Sequence, residues 1–214
     1  MKKVLLTAMI AALLVFPLES VALAETTADN LPEASQSQEL DYTPGDVPAQ
    51  TDLTASMTPA LHGMILAMLS HGLTAYDPGD LELGWETLYN MLSLYGQMDE
   101  RSEYLDEDLI LPVETAMDFS SALPVSAAAL GQLPQDLSDR MTYESEIDSY
   151  RLACGNDSLA EVRLDSTTRQ GDDLELSGTL LYLVDGSALA RFHAVLQPRD
   201  NMFGYTITAL ELVG

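Results

Sequence analysis

The residues ARFHAVLQ, Ala190–Gln197, decide the fold class. Ala190, Phe192, Ala194 and Leu196 fall on one side of an extended chain, and Arg191, His193 and Gln197 fall on the other. That is the period-two pattern of a strand with one buried and one wet face. The pattern recurs on both sides of this segment. Tyr150, Leu152 and Cys154 alternate with Arg151 and Ala153; Ala160, Val162 and Leu164 with Glu161, Arg163 and Asp165. Leu174, Leu176 and Leu180 alternate with Glu175, Ser177 and Thr179, and Phe203, Tyr205, Ile207 and Ala209 with Gly204, Thr206 and Thr208. The turn signals GNDS, RQGDD, VDGS and QPRDN separate these runs. From Met141 onward the chain therefore predicts an antiparallel meander of about five strands with one apolar face.

Upstream the period changes to that of a helix. In LHGMILAMLSHGL, Leu61–Leu73, the apolar residues recur at helical spacing. Thr58-Pro59 reads as an N-cap followed by proline at the first helical position, and Gly72 is placed to end the helix. The expected helix has about four turns, well short of the ~20 apolar residues that span a bilayer. A second helix follows Asp77-Pro78-Gly79-Asp80, with Leu81, Trp85, Leu88, Leu92 and Tyr95 on one face and Gly96 at its end. A third, shorter one starts at Pro112 and places Ala116, Phe119 and Leu123 on one side. Between Pro124 and Ser138 the pattern is mixed and assigns no element.

About three helices followed by a one-faced antiparallel sheet make an α+β domain, because each element must bury its apolar face against another. The order helix, helix, short extended LIL, helix and curling meander resembles the nuclear-transport-factor-like cone fold, and also small secreted bacterial proteins. The resemblance covers roughly Thr58 to Gly214 and rests on element order. It implies a cone with an interior cavity. The acidic base and paired donors of isomerases with that fold match no residues in this chain, so the resemblance implies no activity.

Residues 1–24 combine Lys2 and Lys3, an apolar run from Val4 to Phe16, and Ala22-Leu23-Ala24, the three parts of a secretory signal peptide. Cleavage after Ala24 removes both lysines and Glu19, so nine basic and 34 acidic residues become seven and 33, a formal charge of −26. Such a field repels nucleic acid and anionic membrane, and leaves cations and basic proteins as possible partners. Residues 25–57 hold seven acids, three prolines and no basic residue, and read as a disordered acidic tether. The expected division is thus a signal peptide at 1–24, a tether at 25–57 and one domain at 58–214. A single cysteine, Cys154, excludes an intramolecular disulfide. Its alternation with Tyr150 and Leu152 predicts burial on the apolar side and an inert thiol.

No motif carries chemistry. There is no G-x-S-x-G, Walker loop, dinucleotide fingerprint or HExxH. His62 and His71 lie nine residues apart, on opposite sides of a helix, and His193 shares the polar strand face with Arg191 and Gln197. Met64, Met68 and His71 follow i, i+4, i+7 and could offer two thioethers and an imidazole to Cu(I); the same stripe contains Leu61 and is the natural buried face, so no metal is assigned. The acids Asp99, Glu100, Glu103, Asp106, Glu107 and Asp108 lack the ligand alternation and central glycine of a calcium loop and read as a solvated turn. The function these observations imply is an exported, periplasmic or extracellular, non-catalytic domain that binds a small molecule or a protein partner, without a cofactor, in a pocket between sheet and helices. A small isomerase or hydrolase using that cavity is the alternative. A buried carboxylate or histidine facing the cavity with a displaced pKa would distinguish it.

Overall fold

The computed structural model describes residues 50–154 and 159–214, all within the compact unit 43–214. The expected signal peptide, and the tether up to residue 49, lie outside the described residues. Helix α1 runs over Gln50–His71 and α2 over Leu81–Tyr95. The start of α1 corrects the sequence reading by more than two turns. Pro59 lies inside the helix instead of opening it, so residues 50–57 belong to the fold and not to a tether. The reason is packing. Leu53 and Met57 continue the apolar row of Ala60, Leu61, Met64, Ile65 and Met68 and are as fully buried as those residues. Each such side chain contributes roughly 1.5–3 kcal/mol by leaving water, which offsets the N–H that proline lacks.

The C-terminal end of α1 falls where Gly72, at φ 65°, leaves the helix. Asp80 caps α2 by accepting from Glu82 N at 3.1 Å and Leu83 N at 3.0 Å, which satisfies two of the first-turn donors. The two helices pack closely because Gly63 has no side chain. A Cβ there would lie 2.6 Å from Met91 Cγ and 3.0 Å from the Thr87 carbonyl.

Among the described residues, eight strands form two separate antiparallel sheets, which corrects the single meander. The first sheet holds β1 (Glu103–Leu105), β2 (Asp108–Pro112), β3 (Met141–Glu144) and β4 (Ser149–Ala153) in the order β1-β2-β4-β3. The run around Leu152, expected to open the meander, is thus β4, paired with β2 and β3. The segment that assigned no element, 124–138, holds the short α4 (Ala127–Leu130) and a 3-10 turn at Gln135–Leu137. Helix α3 (Val113–Ser120) follows β2 directly and buries Ala116 and Phe119, with Leu123 just beyond it, as the spacing predicts.

The second sheet is a plain meander, β5 (Ala160–Gln170), β6 (Asp173–Tyr182), β7 (Ala188–Pro198) and β8 (Tyr205–Val213). Its inner face is Val162, Leu164, Leu174, Leu176, Leu180, Phe192, Ala194, Leu196, Ile207 and Leu210, all buried, and α1 packs against it. The register shifts in all three pairings, leaving Asp165, Leu189 and Thr208 as extra residues. Such bulges bend a strand and turn the following side chains to the other face. That is why Ala209, expected inside, is exposed while Leu210 is buried. The outer edge of β8 is partly covered: Tyr76 N donates to Leu210 O, Leu212 N to Thr74 O and Ile207 N to Ala122 O, at 2.9, 2.7 and 2.8 Å.

Candidate functional site

The turn after α2, the helix α3 and the β7–β8 turn come together around a recess of about 440 Å³, lined by Met98, Asp99, Glu100, Arg101, Phe119 and Met202. Phe119 reaches it from the buried side of α3 and meets Phe203 edge to face, with ring centroids 5.8 Å apart. Two polar clamps hold the walls. On one side, Asp99 Oδ1 accepts from Arg101 N and Nε at 2.9 Å each, and Arg101 Nη2 donates to Asp99 Oδ2 at 2.7 Å and to Asp118 Oδ2 at 2.6 Å. Arg101 therefore ties the turn to α3. On the other side, Asn201 Nδ2 donates to Ser121 O at 2.9 Å and Tyr205 O at 3.1 Å, while its Oδ1 accepts from Phe203 N at 3.0 Å. This fastens the β7–β8 turn to the end of α3.

The hydrogen bonds from Arg101 hold the Asp99 carboxyl below the usual carboxylate range. An ionised carboxylate already engaged by a guanidinium is a poor general acid and a poor base. None of the six lining residues is a serine, cysteine, lysine or histidine that could act as a nucleophile. What the recess does present is apolar surface on unbranched, adaptable thioethers. Met98, at the end of a single 3-10 turn, is 76% exposed, and Met202, in the β7–β8 turn, 57%.

A second recess, of about 350 Å³, is lined by residues 131–133, Ser138, Tyr150 and the β3 residues Met141, Thr142 and Tyr143. The Tyr143 and Tyr150 rings are 5.5 Å apart, and Tyr150 meets Trp85 edge to face at 6.1 Å. The Tyr143 hydroxyl donates to Asp148 at 2.8 Å, which raises its pKa. No charged side chain lines this recess.

The residues singled out from the sequence fall elsewhere. Met64 and Met68 have no solvent exposure, while His71 is exposed, so burial separates the imidazole from the thioethers. His62 is 1% exposed, its Nδ1 is 2.7 Å from the Tyr95 hydroxyl, and burial lowers its pKa to about 4. It lines neither recess. His193 is half-buried with Nε2 3.9 Å from Glu175. The acids between Asp99 and Asp108 do not share one solvated turn: Asp99 is bonded at the recess, whereas Glu103 to Asp108 belong to the β1–β2 hairpin. Among the described residues, no three His, Cys, Asp or Glu side chains converge as a metal centre needs. Cys154 is a free thiol, partly rather than fully buried against the core.

Sequence reasoning missed Met98, Phe119 and Met202 as a group. The available signal was the pair QMDER and DNMFG, in which a methionine stands among turn-forming polar residues. Compared with known proteins, the chain matches no protein-family model and no curated protein.

Proposed function

We propose that this chain is an exported, non-catalytic binding domain that engages a small molecule or a protein partner through the recess between the turn after α2, α3 and the β7–β8 turn. The observation that carries this reading is the pairing of exposed methionine walls with a guanidinium-clamped Asp99 in a recess lined by no serine, cysteine, lysine or histidine. A recess of this volume falls within the range of about 300–1,000 Å³ usual for ligand sites. The one strongly displaced histidine, His62, is sealed between α1 and α2 and so does not favour an enzyme. Export rests on the tripartite pattern of residues 1–24 and is tested by the mass of the protein recovered from the cell envelope or medium, which should lack them.

The nuclear-transport-factor-like resemblance is kept as part of this proposal. It is supported by the order α1, α2, β1–β2 hairpin and α3, followed after α4 and the β3–β4 pair by a four-stranded sheet with bulges that packs on α1. Binding is tested on the mature chain carrying 13C-labelled methionine methyls, exposed to a fragment mixture. Shifts confined to Met98 and Met202 support the site, and shifts confined to methionines outside the recess count against it.

A further inference from the structure

We propose that the partner of the Met98–Met202 recess is a basic, amphipathic protein segment, whose lysine or arginine stem lies on the thioethers and Phe119 and whose charge meets Glu100 and Glu114. The inference rests on the binding reading above. Its first support is the balance of charge. Asp99, Glu100, Glu114 and Asp118 surround a single cation, Arg101. Most of that cation is already engaged, because Nε and Nη2 are given to Asp99 and Asp118 and Nη1 lies 3.9 Å from Glu114. An anion would meet net negative charge.

The acceptors are open in a way that Asp99 is not. Glu100 is exposed and has neither a hydrogen bond nor an ion pair with the described residues. The Glu114 side chain is 83% exposed and only 3.9 Å from Arg101 Nη1, beyond hydrogen-bond reach. The unpaired Glu100 at the apolar walls, with the exposed and only loosely paired Glu114 next to Arg101, matches a side chain with a long methylene stem and a cationic end. Methionine suits such a stem, since its unbranched, polarisable chain adapts to the contour laid on it. The field of a mature chain without lysine, at a formal charge of −26, steers the same class of partner toward it. The 350 Å³ recess has none of these charges and makes no such choice.

The test uses the mature full-length chain with 13C-methyl methionine and three blocked peptides: alternating lysine–leucine, alternating serine–leucine, and lysine alone. The lysine–leucine peptide should shift the Met98 and Met202 methyls saturably. Glu100→Gln should weaken it about threefold, the worth of one exposed ion pair, and Glu107→Gln on the β1–β2 turn should leave it unchanged. Equal binding by the serine–leucine peptide would overturn the preference for a cation while leaving the recess as a binding site. Equal binding by the lysine peptide, or equal losses in Glu100→Gln and Glu107→Gln, would show diffuse charge attraction and overturn the inference. No response of either methyl to any peptide or fragment would overturn the binding reading itself.

Discussion

Nδ1 of His62 lies 2.7 Å from the Tyr95 hydroxyl, a contact between α1 and α2 that is closed to solvent on the histidine side. Burial opposes a charge there and lowers the imidazole pKa from 6.5 to about 4. The folded state thus takes up a proton less readily than the unfolded chain, and stability falls as pH drops through the window between those two values. By pH 5 this group alone should cost about 2 kcal/mol. Urea unfolding at pH 7 and pH 5 checks it, with His62→Gln as the reference. The wild type should lose about 2 kcal/mol more than the variant over that step, and equal losses would contradict the assignment.

The early start of α1 makes a stability prediction at positions that composition alone would class as tether. Leu53→Ala and Met57→Ala should each cost about 2–5 kcal/mol, the usual range for emptying a closed core position. Ala55→Ser, on the exposed side of the same turn, should cost less than about 0.5 kcal/mol. Chemical denaturation separates the two classes. If Leu53→Ala and Met57→Ala were as neutral as Ala55→Ser, the helix would begin later.

Gly178 sits where β6 passes under Phe192. A Cβ at that position would be 2.5 Å from Phe192 Cζ and 2.6 Å from the Arg163 carbonyl of β5. Gly178→Ala should therefore destabilise by about 1–3 kcal/mol, the usual cost of overpacking. Adding Phe192→Leu should not restore stability, because the carbonyl clash remains. Full rescue by the second substitution would show that the ring was the whole obstacle.

Asn201 fastens one wall of the recess. Asn201→Ala leaves Phe203 N without its side-chain acceptor and removes a donor from Ser121 O and Tyr205 O, at a cost of about 1–3 kcal/mol. The Met202 methyl should shift and sharpen as the turn loosens, while methyls in the α1 core stay in place. Unchanged Met202 with the same loss of stability would mean that the turn is held by Thr206, which also donates to Ser121 O at 2.8 Å.

The parts of this protein that were legible in its sequence are those set by neighbours along the chain. The Asp80 cap, the exit of α1 at Gly72 and the long strands β5, β6 and β7 follow from local turn chemistry and from side-chain period. Tertiary structure decided the rest, because partner choice depends on distant residues. Ser149–Ala153 has a strand's alternation, but only the nearness of β2 and β3 removes it from the meander. Ala209 has a buried residue's place in the alternation, yet the extra Thr208 opposite Val195 and Leu196 turns it outward. Leu53 and Met57 sit in an acidic, polar stretch and become helical because a core is waiting for them. The recess is the extreme case. Met98, Phe119 and Met202 belong to three separate segments, and tertiary contacts such as the bonds of Arg101 to Asp118, of Asn201 and Thr206 to Ser121 and the packing of Phe119 on Phe203 bring them to one place.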